Sequence, residues 1–327
     1  MIDAPFIWFG GKRRVAPEVW ARFGNVNNFV EPFFGSGAVL FGRPEIGNIE
    51  TINDLDGFVS NFWRAVKLSP EATAEHADYP VNENDLHARH AWLVSQADGL
   101  RERLEGDPEY HDPKIAGWWV WGINCWIGSG WCSGNGPWKV VDARLIKGDS
   151  GTGVNRQRPH LGDSGAGVNR KLPHLGDSGQ GSRLIPWFMA LSDRLSRVRV
   201  CSGDWSRVCG PSVTWKHGMT GVFLDPPYAE ETGREMGLYR IDSIDVSTTV
   251  REWAIANGDN PLMRIALCGY AGEHVMPDSW SVHEWQAVKG YGVQSQAEGG
   301  KENRDRERIW FSPACISPDA PAQGTLF

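Results

Sequence analysis

The sequence has no run of about 18 or more apolar residues, the length that a membrane-spanning helix requires, so no membrane partner is expected. Its N-terminus, MIDAPFIWFGGKRR, lacks the basic, then apolar, then small-residue order of a secretory signal. Its six cysteines, at 125, 132, 201, 209, 268 and 315, include no Cys-x-x-Cys pair. That excludes a disulfide framework and a zinc site of the common spacing, and it suits reduced thiols in a cytoplasmic setting. His274 and His283 have no partner at metal-ligand spacing, so they read as surface or half-buried residues and no metal is expected. A pyrophosphate-binding Gly-x-Gly-x-x-Gly is missing too. Leu40 stands where a third glycine would follow Gly35 and Gly37.

What is present is an ordinary globular composition with one excess. Hydrophobic residues make up 41% and charged residues 22% of 327, enough for a sizeable core. Tryptophan is over-represented at 17 residues, and most are expected inside, because large rings gain most from burial. The net charge of −7 is unevenly spread. Residues 70–112 carry 11 acids and 3 arginines, whereas residues 144–183 carry 7 Lys/Arg and 3 Asp. An acidic protein of this kind can still turn one basic surface to a polyanion.

The order of patterns along the chain is α/β. Asn28–Glu31 is a short strand, followed by a glycine turn and a helix from about Ala38. Residues 50–54 form a second strand, followed by a helix with Phe58, Phe62, Trp63 and Val66 on one face. Strand–helix alternation implies a parallel sheet. Residues 71–112 read as acidic helix, with Leu86, Trp92, Leu93, Leu100 and Leu104 as its buried stripe. Six tryptophans then crowd into 114–138. Of these, Trp126, Trp131 and Trp138 sit among glycines, where a ring could stack on a base or wedge a duplex. A 14-residue repeat follows: GDSGTGVNRQRPHL from Gly148, GDSGAGVNRKLPHL from Gly162, and a decayed copy from Gly176. Such units cannot bury a core of their own. They bring Arg156, Arg158, Arg170 and Lys171, with Arg183 close behind, as candidate phosphate contacts. Alternation resumes with a helix over 182–196 and strands at 198–201, 221–224 and 264–268. A helix over 248–257 separates the last two strands, and a closing hairpin spans 280–288 and 307–312. The Pro- and Ala-rich tail after 312 reads as flexible.

Two motifs carry chemistry. Asp225-Pro226-Pro227-Tyr228 ends a buried apolar strand. An exocyclic ring amine is a poor nucleophile because its lone pair is delocalised. A carboxylate and a backbone carbonyl that each accept one N–H free that lone pair. The prolines fix the backbone so that the Pro226 carbonyl stays out of a helix, and the ring of Tyr228 offers a stacking face. The second motif is the turn Glu31-Pro32-Phe33-Phe34-Gly35-Ser36-Gly37, with Asp54 19 residues after Gly35 at the end of the next strand. That is the spacing of an acid that binds ribose hydroxyls. Without the third glycine, an adenosine ligand that lacks pyrophosphate fits better. S-adenosylmethionine is such a ligand, and its cationic groups suit Glu31.

Together these residues resemble the Dam-type DNA adenine methyltransferases. Trp8-Phe-Gly-Gly-Lys12 resembles the family's N-terminal motif, so Trp8, Gly11 and Lys12 are expected at the cofactor. The turn from Glu31 to Gly37 resembles its cofactor loop, Asp54 its ribose acid, and Asp204-Trp205 its step beside the cofactor adenine. Asp225 to Tyr228 resembles its catalytic tetrapeptide, in the α-type motif order. The resemblance implies a doubly wound Rossmann-like methyltransferase sheet formed by 1–70 and 182–312. The inserted target recognition region, 71–181, would be mostly helical and loop-rich, and the flexible tail would span 313–327. It implies S-adenosylmethionine as cofactor, double-stranded DNA as substrate, methyl transfer to adenine N6 with base flipping, and a bacterial or phage-infected cytoplasm. The residues leave open cytosine N4 or a protein glutamine as acceptor, and a non-catalytic DNA-binding regulator. Gln323-Gly-Thr-Leu-Phe327 resembles a sliding-clamp docking peptide.

Overall fold

The computed structural model describes residues 2, 4–6, 8, 12–126, 131–132, 138–141, 144–147, 184–227, 244–285 and 307–318. A 3₁₀ turn, Lys12–Arg14, leads into α1 (Ala16–Phe23). The elements that follow are β1 (Asn28–Glu31), α2 (Ala38–Phe41), β2 (Ile49–Asp54), α3 (Gly57–Leu68), α4 (Pro70–Ala77), α5 (Glu83–Gly106) and α6 (Pro113–Cys125). After these come β3 (Trp138–Val141), β4 (Arg144–Lys147), α7 (Leu184–Leu195), β5 (Val198–Ser202), β6 (Thr220–Leu224), α8 (Ile244–Gly258), β7 (Met263–Tyr270), β8 (Ser281–Glu284) and β9 (Glu307–Phe311).

Seven strands form one sheet in the order β5-β2-β1-β6-β7-β9-β8. The first five are parallel, and β9 and β8 close the sheet antiparallel. The chain runs outward from β1 through β2 to β5 and then returns to the other side of β1 with β6. The switch point therefore lies between β1 and β6, where open α/β sheets hold ligands beyond the carboxyl ends of the strands. This is the doubly wound, Rossmann-like architecture. Strand β6 is buried at every residue, as a parallel strand covered on both faces must be. Alternate residues serve the two faces. Phe29, Phe223, Ala266 and Phe311 join the core under α1, α3 and α7, and Val30, Val222, Leu224, Ile265 and Trp310 join the core under α8.

Helix starts follow local chemistry. Asp56 caps α3 through Phe58 N–H at 2.8 Å, and Asp112 caps α6 through Ile115 N–H at 2.9 Å, with Pro113 at the first helical position. Helices α4 to α6 do not stand apart from the seven-stranded sheet. Leu93, Leu100, Leu104, Ile115 and Trp119 share one core with Phe62, Trp63 and Phe188. The ring of Phe6 meets Phe62 at 5.5 Å and Trp119 at 5.0 Å.

Several expectations change. The helix after Gly37 is only Ala38–Phe41. The acidic stretch is two helices, because Pro80 and the Asn82 cap start α5 afresh. Leu86 and Trp92 are only half-buried, and Trp92 packs against the core from its edge. Strands β3 and β4 form a separate antiparallel ribbon that the sequence pattern did not announce. His274 is buried, because its Nε2 lies 3.2 Å from the Cys268 carbonyl and its ring fills the space beside Gly269. Residues 313–318, expected in the flexible tail, are held by hydrogen bonds, and 319–327 lie outside the described residues. Ile316 N–H donates to the Arg22 carbonyl at 2.8 Å and Arg264 Nε to the Ala314 carbonyl at 3.1 Å. The six cysteines are all free.

Candidate active site

Three strand ends are fastened by one side chain. Asn53 Nδ2 donates to the Pro32 carbonyl at 3.1 Å and to the Gly203 carbonyl at 2.9 Å, which joins the ends of β1, β2 and β5. Gly35 and Gly37 hold positive φ, +49° and +71°, which glycine adopts without Cβ strain. A Cβ on Gly35 would also collide with the Trp8 indole, so Trp8 lies directly over the loop. The Gly35 N–H donates to Asp54 Oδ2 at 2.9 Å, and the Gly35 carbonyl accepts from Trp63 Nε1 at 2.8 Å. Asp54 Oδ1 accepts from Asp56 N–H at 2.9 Å. Loss of solvent around Asp54 pushes its carboxyl up to about 7, with the charge of Asp56 adding and the backbone amides of Gly35, Asp56 and Leu55 pulling it back. Across the crevice, the Phe33 and Trp205 rings stack at 6.2 Å and 29°. Asp204 caps the turn beneath Trp205 through Ser206 N–H at 3.0 Å.

At the switch point Glu31 is 2% exposed. Its Oε2 accepts from Leu40 N–H at 3.2 Å. Burial, joined by the charges of Asp225, Asp54 and Glu50, raises its carboxyl well above the usual carboxylate range. Asp225 follows β6 directly. Lys12 Nζ lies 3.0 Å from its Oδ1 and 3.5 Å from Glu307 Oε2 at the start of β9. Burial opposes the charge of Lys12, but Asp225 and Glu307 outweigh it and hold the ammonium protonated well above the ordinary lysine range.

The fold thus gathers Trp8, Lys12, Glu31, Pro32, Phe33, Gly35, Gly37, Asp54, Asp204, Trp205 and Asp225-Pro226-Pro227 at one end of the sheet. Lys12 meets the Asp225 carboxylate there. Gly11, Tyr228, Arg156, Arg158, Arg170, Lys171 and Arg183 lie outside the described residues. Sequence reasoning missed Glu307, the bridging role of Asn53 and the Trp63 bond to the loop. A signal existed for Glu307: the first residue of an antiparallel closing strand must lie at the ligand end of a parallel sheet.

The donor set fits S-adenosylmethionine. Glu31 is a deeply buried acid with no cationic partner among the described residues, and a sulfonium or ammonium would settle its charge. Among the described residues, no group of three His, Cys, Asp or Glu could hold a metal ion. No helix among them is long and apolar enough to cross a membrane.

A doubly wound sheet with a glycine loop, an acid on the next strand and a carboxylate at the switch point fits a Rossmann-like methyltransferase, a class that uses S-adenosylmethionine. Within that class, residues 8–96 match the D12 class N6 adenine-specific DNA methyltransferase family. The chain is an adenine-specific DNA methyltransferase, and it methylates N6 of adenine in DNA at specific sites. The match runs from Trp8 into α5, across the loop, Asp54 and α4. No curated protein matches the chain.

Proposed function

We propose that the substrate is duplex DNA, that the target adenine is flipped into the crevice, and that Asp225 and the Pro226 carbonyl hold its amine. The observation that carries this reading is the position of Asp225 at the end of β6, across the switch point from Glu31 at the end of β1. When bound, S-adenosylmethionine supplies an electrophilic methyl group on a sulfonium. The chain's own residues do the rest. Trp8, Gly35, Asp54, Asp204 and Trp205 line the cofactor half, with the Phe33–Trp205 stack as its apolar wall. Asp225 accepts one N–H of the amine, Pro226 C=O accepts the other, and Tyr228 stacks on the base. The amine lone pair is then free to attack in line, and positioning provides much of the rate. A stacked adenine cannot reach this crevice, so it must leave the helix.

The catalytic unit in this reading is 1–70 with 182–312, and 71–181 contributes target recognition. Because α4 to α6 share the catalytic core, recognition rests on 127–181, with its basic repeat as the phosphate-contacting part. The Gln-x-x-Leu-Phe ending supports a sliding clamp as a further partner. Residues 312–318 anchor at the start of β7, the end of the sheet opposite the crevice.

The test is a duplex with 2-aminopurine at the methylated adenine. Fluorescence should rise several-fold when enzyme and cofactor bind, and a silent probe would contradict flipping.

A further inference from the structure

Strand β9 runs antiparallel to β7, with Glu307 in register with Tyr270, so its first residue returns to the catalytic end of the sheet. The order β6-β7-β9 places that residue two strands from Asp225, a span of roughly 10 Å. Lys12 closes the gap. Its ammonium lies between Asp225 Oδ1 at 3.0 Å and Glu307 Oε2 at 3.5 Å. The side chains of Lys12 and Glu307 are each 6% exposed, and that of Asp225 is 21% exposed. Two carboxylates therefore share one buried cation, and only Asp225 opens towards solvent.

We propose that Glu307 is a positioning residue for methyl transfer: it holds Lys12 from the far side, so that the ammonium stays between the two carboxylates and the Asp225 carboxylate keeps the orientation needed to accept the target amine. This rests on the reading of Asp225 as the amine acceptor. With Glu307 neutral, the pull of Lys12 shifts towards Asp225. The ammonium is then drawn onto the oxygens that the substrate needs. With Lys12 removed, two like charges face each other in a buried site, a costly arrangement. The two losses are therefore coupled through Lys12 and should not multiply.

The experiment is single-turnover methyl transfer by the full chain for Glu307→Gln, Lys12→Met and the double variant, with cofactor affinity measured on each. Glu307→Gln should slow transfer by at least about tenfold with cofactor Kd within about twofold. The double variant should be no slower than Lys12→Met, because neutralising Glu307 relieves the charge that Lys12→Met leaves unpaired. Glu307→Gln transferring within about threefold of the parent rate overturns the proposal, as does loss of its cofactor binding. Losses that multiply in the double variant overturn it too. An active Asp225→Ala would instead remove the underlying reading of Asp225, and the two failures are distinct.

Discussion

The backbone N–H of Gly35 donates to Oδ2 of Asp54 at 2.9 Å, so the acid that the spacing marks as a ribose ligand also closes the glycine loop. One carboxylate couples the shape of the loop to the charge of the crevice.

The carboxyl of Asp54 stands near 7, well above its ordinary 3.8. A ribose diol donates to the ionised form, so cofactor binding should release a proton and tighten as pH rises through about 7. Isothermal titration from pH 6 to 8 reads this. Asp54→Asn should weaken binding by about 1.5–3 kcal/mol for the lost charged acceptor. It should also remove the Asp54 part of the pH slope. The amino group of the cofactor titrates equally in both proteins, so their difference isolates Asp54.

Gly35→Ala combines a positive φ with a clash against the Trp8 indole. The left-handed conformation alone costs roughly 1–2 kcal/mol for an L-residue. The variant should keep its fold and bind cofactor at least about tenfold more weakly, since relieving the strain means moving Trp8 or opening the loop. Equilibrium dialysis with labelled cofactor measures the loss.

Neutralising Arg156, Arg158, Arg170 and Lys171 together should weaken DNA binding and flatten its salt dependence. Each lost phosphate contact should reduce the log–log slope by about 0.9. An unchanged slope would mean that the repeat faces away from DNA.

Deleting Gln323–Phe327 should leave methylation of naked DNA unchanged and abolish capture of a sliding clamp. Clamp capture that survives the deletion, or none by the full chain at micromolar concentrations, would remove that partner.

Much of this site is legible in the sequence because parallel strands are short, apolar and ended by their functional residues. Asn28–Glu31 is the observed strand, and Asp54 and Asp225 end β2 and follow β6 as the pattern indicates. Glu307 was not legible as a partner of Lys12, since 295 residues of chain separate them and only the antiparallel return of β9 joins them. The burial of His274 depends on the space left by Gly269, which no local pattern records. The acidic composition of 70–112 suggested a region apart. Yet a helix with an acidic outer face still buries Leu93, Leu100 and Leu104 in the shared core, because composition does not report which face is turned inward.

The central claim is that Asp225 holds the adenine amine, and single-turnover transfer of a labelled methyl group to duplex DNA tests it most directly. The parent protein should place the label in N6-methyladenine. Asp225→Ala should transfer at least about 100-fold more slowly while its cofactor Kd stays within about twofold, because Asp225 serves the amine and not the cofactor. Near-parent transfer by Asp225→Ala, or label recovered in N4-methylcytosine, would contradict the account.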